Sequence, residues 1–205
     1  MRKIVKFKES IINSLQYNCK DGANNKGIGD PLLKEQKNFC AYSEEYIDPK
    51  SDANDIEHFN PDLKCKALDS YQNWFKVKRQ INFNKRRKEN EFKKNNISFE
   101  NILHPCDPNF ENKLQYVKGE FRFNEDPNDE AVTNLINLLE LNLPEKIERR
   151  RAYINRKKKE IYSAGLSEYD FFEMLISDDV SSIKYLRTIQ EEFEINIWEI
   201  IPEIN

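Results

Sequence analysis

The stretch from Asp55 to Lys88 constrains the fold more than any other part of this 205-residue chain. Asp55-Ile56-Glu57-His58-Phe59 alternates polar and apolar at its start, the pattern of a half-buried strand. Asn60-Pro61-Asp62 ends it, because proline cannot donate to a strand ladder. Tyr71 to Lys88 then contains no glycine and no proline, and is expected to include a helix. Strand, loop and helix in that order make a frame on which a metal site can be built.

Charge is segregated around the same stretch. From Lys64 to Lys94 there are eleven basic residues against three acids (Asp69, Glu89, Glu91), a local net charge of +8 in a chain whose total is -3. The remainder therefore carries -11. Such segregation suits a basic binding surface on an otherwise acidic protein, although a basic helix face that is merely solvated would read the same way.

Before this frame, Ile11, Ile12, Leu15 and Tyr17 fall near helical spacing, so residues 8 to 18 are expected to form a short amphipathic helix. Gly22 to Gly29, with three glycines and two asparagines, is expected to be a loop. Asp30-Pro31 is read as the start of another helix, with Pro31 in its first position. Phe39 to Ile47 reads as extended and Asp48 to Asn54 as a polar turn.

After the frame, two prolines keep His104-Pro105-Cys106-Asp107-Pro108 out of any helix interior, and His104 is read as structural. Gln115 to Phe123 resembles a hairpin around Gly119. Glu130–Leu141, Pro144–Tyr162, Ser167–Ile176 and Ser181–Glu194 read as helices. In the Pro144–Tyr162 segment, the Arg149-Arg150-Arg151 and Arg156–Lys159 clusters read as a solvated face.

Composition narrows the function classes. No apolar run approaches the roughly 20 residues that span a bilayer, and the basic start lacks a signal-peptide pattern, so a cytoplasmic location is expected and no membrane partner. The mean hydropathy of -0.86 agrees. Cys19, Cys40, Cys65 and Cys106 show no paired spacing, and a disulfide framework is not expected in a reducing compartment.

The chemistry these residues suit is phosphodiester hydrolysis. A histidine near its ordinary pKa of about 6.5 can deprotonate water at neutral pH, which makes His58 a candidate base. Charge on the phosphorane needs a Lewis acid such as Mg²⁺ (or Mn²⁺), held by a few hard oxygens with positions left open. The Glu57 carboxylate and the Asn82 amide oxygen would serve as those ligands. The run Lys85, Arg86, Arg87 and Lys88 is a candidate phosphate-contacting patch, with salt-sensitive affinity and little sequence reading.

At these residues the chain resembles a known family. Asp55-Ile56-Glu57-His58-Phe59-Asn60-Pro61, Tyr71-Gln72-Asn73-Trp74 and Asn82-Phe83-Asn84-Lys85 look like the ββα-metal motif of HNH endonucleases. The resemblance implies His58 as general base, Glu57 and Asn82 as metal ligands, and Asn73 as the residue that braces the loop. Lys85 matches a basic residue one turn on. Phe39-Cys40-Ala41-Tyr42-Ser43-Glu44, and the tract from His104 to Arg151, are similar to PtuB-like HNH proteins. These look like nuclease subunits of Septu and retron-type antiphage systems, which act beside an ABC-type ATPase (PtuA-like).

One departure matters. Many HNH proteins brace the motif with two Cys-x-x-Cys pairs around a structural zinc, but here Ser43, Lys78 and Ile81 stand at three of those positions and only Cys40 remains. No structural zinc is therefore expected, and packing by Tyr42, Trp74, Phe75 and Ile81 has to replace it.

The expected architecture is α+β: an N-terminal helical segment over residues 1–38, a ββα-metal core over 39–90, and a mainly helical extension with a short hairpin over 91–205. The expected function is metal-dependent cleavage of DNA or RNA. The rival is a non-catalytic nucleic-acid-binding or partner-docking subunit that keeps the HNH shape.

Overall fold

A computed structural model describes residues 1–20, 25–124 and 129–204. The fold is α+β, with two separate two-stranded antiparallel sheets among helices. Strand β1 (Asn54–His58) pairs with β2 (Trp74–Lys78) in a register that sets Glu57 opposite Phe75 and His58 opposite Trp74. Helix α2 (Arg79–Lys94) follows β2 without a loop. The expected strand thus stands within a residue of its place, and the glycine- and proline-free segment divides into a 3₁₀ turn (Tyr71–Asn73), β2 and the start of α2. Val77 and Phe75 alternate with Lys76 and Lys78 along β2, a period of two that the segment's lack of breakers concealed.

Two expectations for the N-terminal region are corrected. Residues 8 to 18 hold only a 3₁₀ turn, Ile11–Ser14, in which Ile12 alone is buried. One inward residue cannot support an amphipathic helix. Helix α1 (Lys26–Glu35) begins earlier than expected and contains Pro31 in its interior. The loop assigned to Gly22–Gly29 is therefore helical from Lys26 onward, while Gly22, Ala23 and Asn24 lie outside the described residues. Pro31 cannot donate to the carbonyl of Gly27, and that glycine has no Cβ to crowd the bend. The helix buries Ile28, Leu32 and Leu33 on one side.

After α2 come the short helix α3 (Phe110–Lys113) and a hairpin of β3 (Leu114–Val117) and β4 (Glu120–Phe123). Gly119 turns this hairpin at φ +95°, and a Cβ there would meet Arg151 Cγ at 2.8 Å, so both conformation and space require glycine. Helices α4 (Glu130–Leu138), α5 (Pro144–Ala164), α6 (Glu168–Asp179), α7 (Leu186–Phe193) and α8 (Ile197–Ile200) complete the fold. Pro144 opens α5, Gly165 closes it in the left-handed conformation, and Ser167 caps α6.

The largest apolar cluster runs from Leu33 through Tyr42, Phe59, Phe75 and Phe92 to Phe110, Leu135 and Leu141. The β1–β2–α2 unit therefore shares one core with the residues that follow it. A second cluster joins Phe39 to α5, α6, α7 and α8. A third, of Ile12, Ile28, Leu32, Tyr71 and Trp74, packs α1 on the face of β1–β2 turned away from α2. Among the described residues no helix is long and apolar enough to cross a membrane.

Candidate active site at the open edge of the first hairpin

Strand alternation decides which side chains can meet. Asp55 and Glu57 point toward α2, while Ile56 and His58 point to the opposite face, against Trp74 and Tyr17. The outer edge of β2 is covered by the chain at Gln36 to Ala41. Among the described residues β1 pairs with β2 alone, and no strand bonds its other edge.

His58 is the last residue of β1 and is 6% exposed. Its Nε2 lies 3.1 Å from Asp69 Oδ2, a close contact without hydrogen-bond alignment that becomes an ion pair only when the ring is protonated. Asp69 is fixed in turn: its Oδ1 accepts from Trp74 Nε1 at 2.7 Å and Asn73 Nδ2 at 3.0 Å, and its Oδ2 accepts from the Cys65 amide at 3.0 Å. Burial pushes the imidazole pKa down to about 4, against the opposing pull of the Asp69 charge. At neutral pH His58 is therefore the free base. The edge of Tyr17 packs on its ring at a centroid distance of 4.5 Å.

Asn73 clamps the chain just beyond His58. Its Oδ1 accepts from the Asn60 amide at 2.7 Å, and its Nδ2 donates to the Asn60 carbonyl at 3.0 Å. The backbone agrees, with the Phe59 amide bonding the Asn73 carbonyl at 2.8 Å. Asn73 thus acts on the loop and not on solvent.

Glu57 and Lys85 are placed otherwise than the spacing implied. Lys85 Nζ is buried 2.7 Å from Glu57 Oε1 and 2.5 Å from Glu89 Oε1, and it donates to the carbonyl of Phe59 at 2.8 Å. The hydroxyl of Tyr42 donates to Glu57 Oε2. Burial raises the Glu57 pKa, with Lys85 pulling the other way. This cluster sits under the hairpin, so Glu57 is engaged by protein donors where a metal ligand had been expected, and Lys85 has no path to a phosphate.

The run that follows does not form one surface either. Arg87 pairs with Glu140 at 2.6 Å and Lys88 with Glu91 at 2.8 Å. Of the four residues of that patch, only Arg86 faces the groove described next.

That groove, about 580 Å³, crosses the open edge of β1. One wall is α2, with Arg79, Asn82, Phe83 and Arg86; the other holds Lys26 and Gly29 of α1 with Tyr17 and Lys64. Asn82 Nδ2 donates to Asp55 Oδ2 at 2.9 Å, and Arg79 Nε contacts Asp55 Oδ1 at 3.1 Å. Among the described residues Lys26, Lys64, Lys76 and Arg86 form no ion pair, and no three His, Cys, Asp or Glu side chains converge as a cage. Asp55 and Asn82 nevertheless place a carboxylate and an amide side by side in an open groove. Both Asp55 oxygens are engaged, by Arg79 and by the Asn82 amide N–H, so a divalent cation would have to displace one of those donors to use the carboxylate.

Two residues escaped the sequence reading. Asp55 carried a usable signal, since it shares the Glu57 face one pleat further from the strand end. Asp69 carried none: it lies in a loop eleven positions beyond His58, and only the folded chain returns it there.

The cysteines depart from expectation as well. Cys19 and Cys65 form a disulfide across a sequence separation of 46, tying the segment bearing Tyr17 to the loop bearing Lys64 and Asp69. Proximity in the fold, invisible as spacing, creates the pair. Cys40 is buried, and its sulfur accepts from the Lys78 amide at 3.4 Å. Ser43, Lys78 and Ile81 line one cavity next to it. His104 packs its ring 4.8 Å from Phe59 and accepts the Cys106 amide at its Nδ1, a structural placement.

No protein-family model matches this chain, and no curated protein matches it.

Proposed function

We propose that this protein is a metal-dependent HNH-type nuclease that hydrolyses nucleic-acid phosphodiesters at the open edge of β1. The observation that carries the reading is His58, neutral at physiological pH, close to Asp69 and in ring contact with Tyr17, a residue that lines the cation-bearing groove. The resemblance of residues 55–61, 71–74 and 82–85 to the ββα-metal motif supports it, as does the order β1, β2, α2.

In this reading His58 accepts the proton of the attacking water. Asp69 holds the ring and stabilises the imidazolium that forms, and Asn73 keeps the strand end in place. Asp55 and Asn82 would hold the divalent cation, which when bound supplies Lewis-acid stabilisation of phosphorane charge. Arg86, Lys64, Lys76 and Lys26 draw in the phosphate backbone. Glu57, Lys85 and Glu89 form the buried ionic support beneath the hairpin.

Cleavage of plasmid, single strands and tRNA with Mg²⁺ or Mn²⁺ tests the reading, with His58→Ala as control. Loss of cleavage in His58→Ala, and a raised metal requirement in Asp55→Ala and Asn82→Ala, are the expected results. Full activity in His58→Ala would remove the proposed base.

A second reading, a subunit silent until a partner docks, has one observation in its favour: Tyr17 covers His58. The partner proposed is the ABC-type ATPase implied by the PtuB-like resemblance. Adding that ATPase should then raise cleavage by the wild type and not by His58→Ala.

A further inference from the structure

Phe83 is out of place by the ordinary rules of packing. It lies on α2 one residue from Asn82, yet 66% of it is exposed, while the buried stripe of that helix is Asn82, Lys85, Glu89 and Phe92. One exposed phenylalanine on a surface needs no explanation by itself. The position of this one does, because it lines the same groove as Lys26, Lys64, Lys76, Arg79 and Arg86. Arg79 and Arg86 stand four positions before it and three after it, so they flank the ring along one helix face. Among the described residues the groove lining holds five cations against Asp30 and Asp55, a net +3, with an aromatic face among them.

Cations that track phosphates, interleaved with an exposed ring, are the physical arrangement for a strand whose bases are free to stack. In an intact duplex each base face is already covered by its neighbours, and uncovering one costs a few kcal/mol. A groove made only for duplex backbone has use for the cations and none for Phe83. Deepening the nuclease reading and resting on it, we infer that Phe83 is a stacking platform for an unpaired base. The substrate class is then single-stranded or locally melted nucleic acid.

The test is equilibrium binding to three labelled probes: an unpaired oligonucleotide, the duplex of the same sequence, and an abasic strand of equal charge. Calcium replaces magnesium so that nothing is cut. The wild type should prefer the unpaired strand to the duplex. Phe83→Ala should weaken binding to the unpaired strand by about 5- to 150-fold, the range for loss of one base stack. Binding to the duplex and the abasic strand should stay as in wild type, and the salt dependence should be unchanged. Phe83→Trp should restore affinity, and its added fluorescence should be quenched by the unpaired strand and not by the abasic one.

Equal loss on all three probes, or no loss on any, would overturn the stacking role while leaving the nuclease reading in place. Preference of the wild type for duplex would do the same. Failure of the wild type to bind any of the probes would overturn both.

Discussion

Asp69 Oδ2 lies 3.1 Å from His58 Nε2, with both side chains 4% exposed. The carboxylate that approaches the imidazole is itself held by Trp74, Asn73 and the Cys65 amide. The ring therefore lies against a residue that is fixed from three sides.

Asp69→Asn should lower kcat with little change in KM, because the lost negative charge stabilises the imidazolium only once the proton has moved. His58→Ala should lose about 10²- to 10⁴-fold, the usual worth of a general base. The measurement is steady-state cleavage of one oligonucleotide by each variant. Equal kcat for Asp69→Asn and wild type would make Asp69 a packing residue only.

Acid should destabilise the fold through its histidines. His58 and His104 are both held down to about 4 by burial, against an ordinary value near 6.5. Between those values the unfolded chain binds protons that the folded chain refuses. Stability contributed by the neutral rings is thus present above pH 6.5 and lost as pH falls toward 4. The loss is on the order of 3 kcal/mol per histidine. Urea unfolding at pH 7, 5.5 and 4 measures it, and His58→Gln should show a shallower decline. The acid limb of kcat/KM should likewise fall near 4; a limb at 6.5 would mean that His58 is solvated.

Lys85→Met should act on stability and not on substrate. It leaves the buried carboxylates of Glu57 and Glu89 without their cation, a loss of about 3–5 kcal/mol for a broken buried pair. Arg86→Ala should instead leave stability unchanged and flatten the dependence of log affinity on log salt by about one unit. Denaturant unfolding beside a salt titration separates the two. A stable Lys85→Met protein with a flattened salt slope would place that ammonium on phosphate after all.

Reduction of Cys19–Cys65 by a dithiol should lower the melting temperature. Closing a loop of 46 residues is worth about 4 kcal/mol in the chain-entropy account. Cys19→Ser should reproduce the shift without reductant. Since the bond anchors the segment that lays Tyr17 on His58, reduction should also speed carbethoxylation of that histidine by diethyl pyrocarbonate. Identical melting and identical labelling in both redox states would show that the bond constrains neither.

Where local rules govern, the fold was legible. The Asp55–Phe59 alternation, Pro144 and Ser167 each mark an element boundary through backbone chemistry, and the structure places those boundaries within a few residues. The failures share a cause. Residues 8 to 18 have apolar spacing, yet only Ile12 finds a buried position, and no local pattern announces that. Glu57 and Asn82 looked like partners because both carry oxygen. The pleat sends Glu57 to Lys85 instead, and gives Asn82 to Asp55. The Lys85–Lys88 run reads as one patch in sequence, whereas a helix distributes four consecutive residues around its axis.

The unbroken core from Leu33 to Leu141 bears on how such a protein can be inherited. A segment cut at residues 39 and 90 would carry Phe59, Phe75 and Val77 but leave behind Phe92, Phe99, Ile102 and Phe110, against which that cluster closes. Gene fusion or shuffling that moved the segment alone would deliver a chain with an open apolar face. Lineages of this protein should therefore transmit the hairpin and its downstream helices as one block, with insertions tolerated in exposed loops rather than at the end of α2.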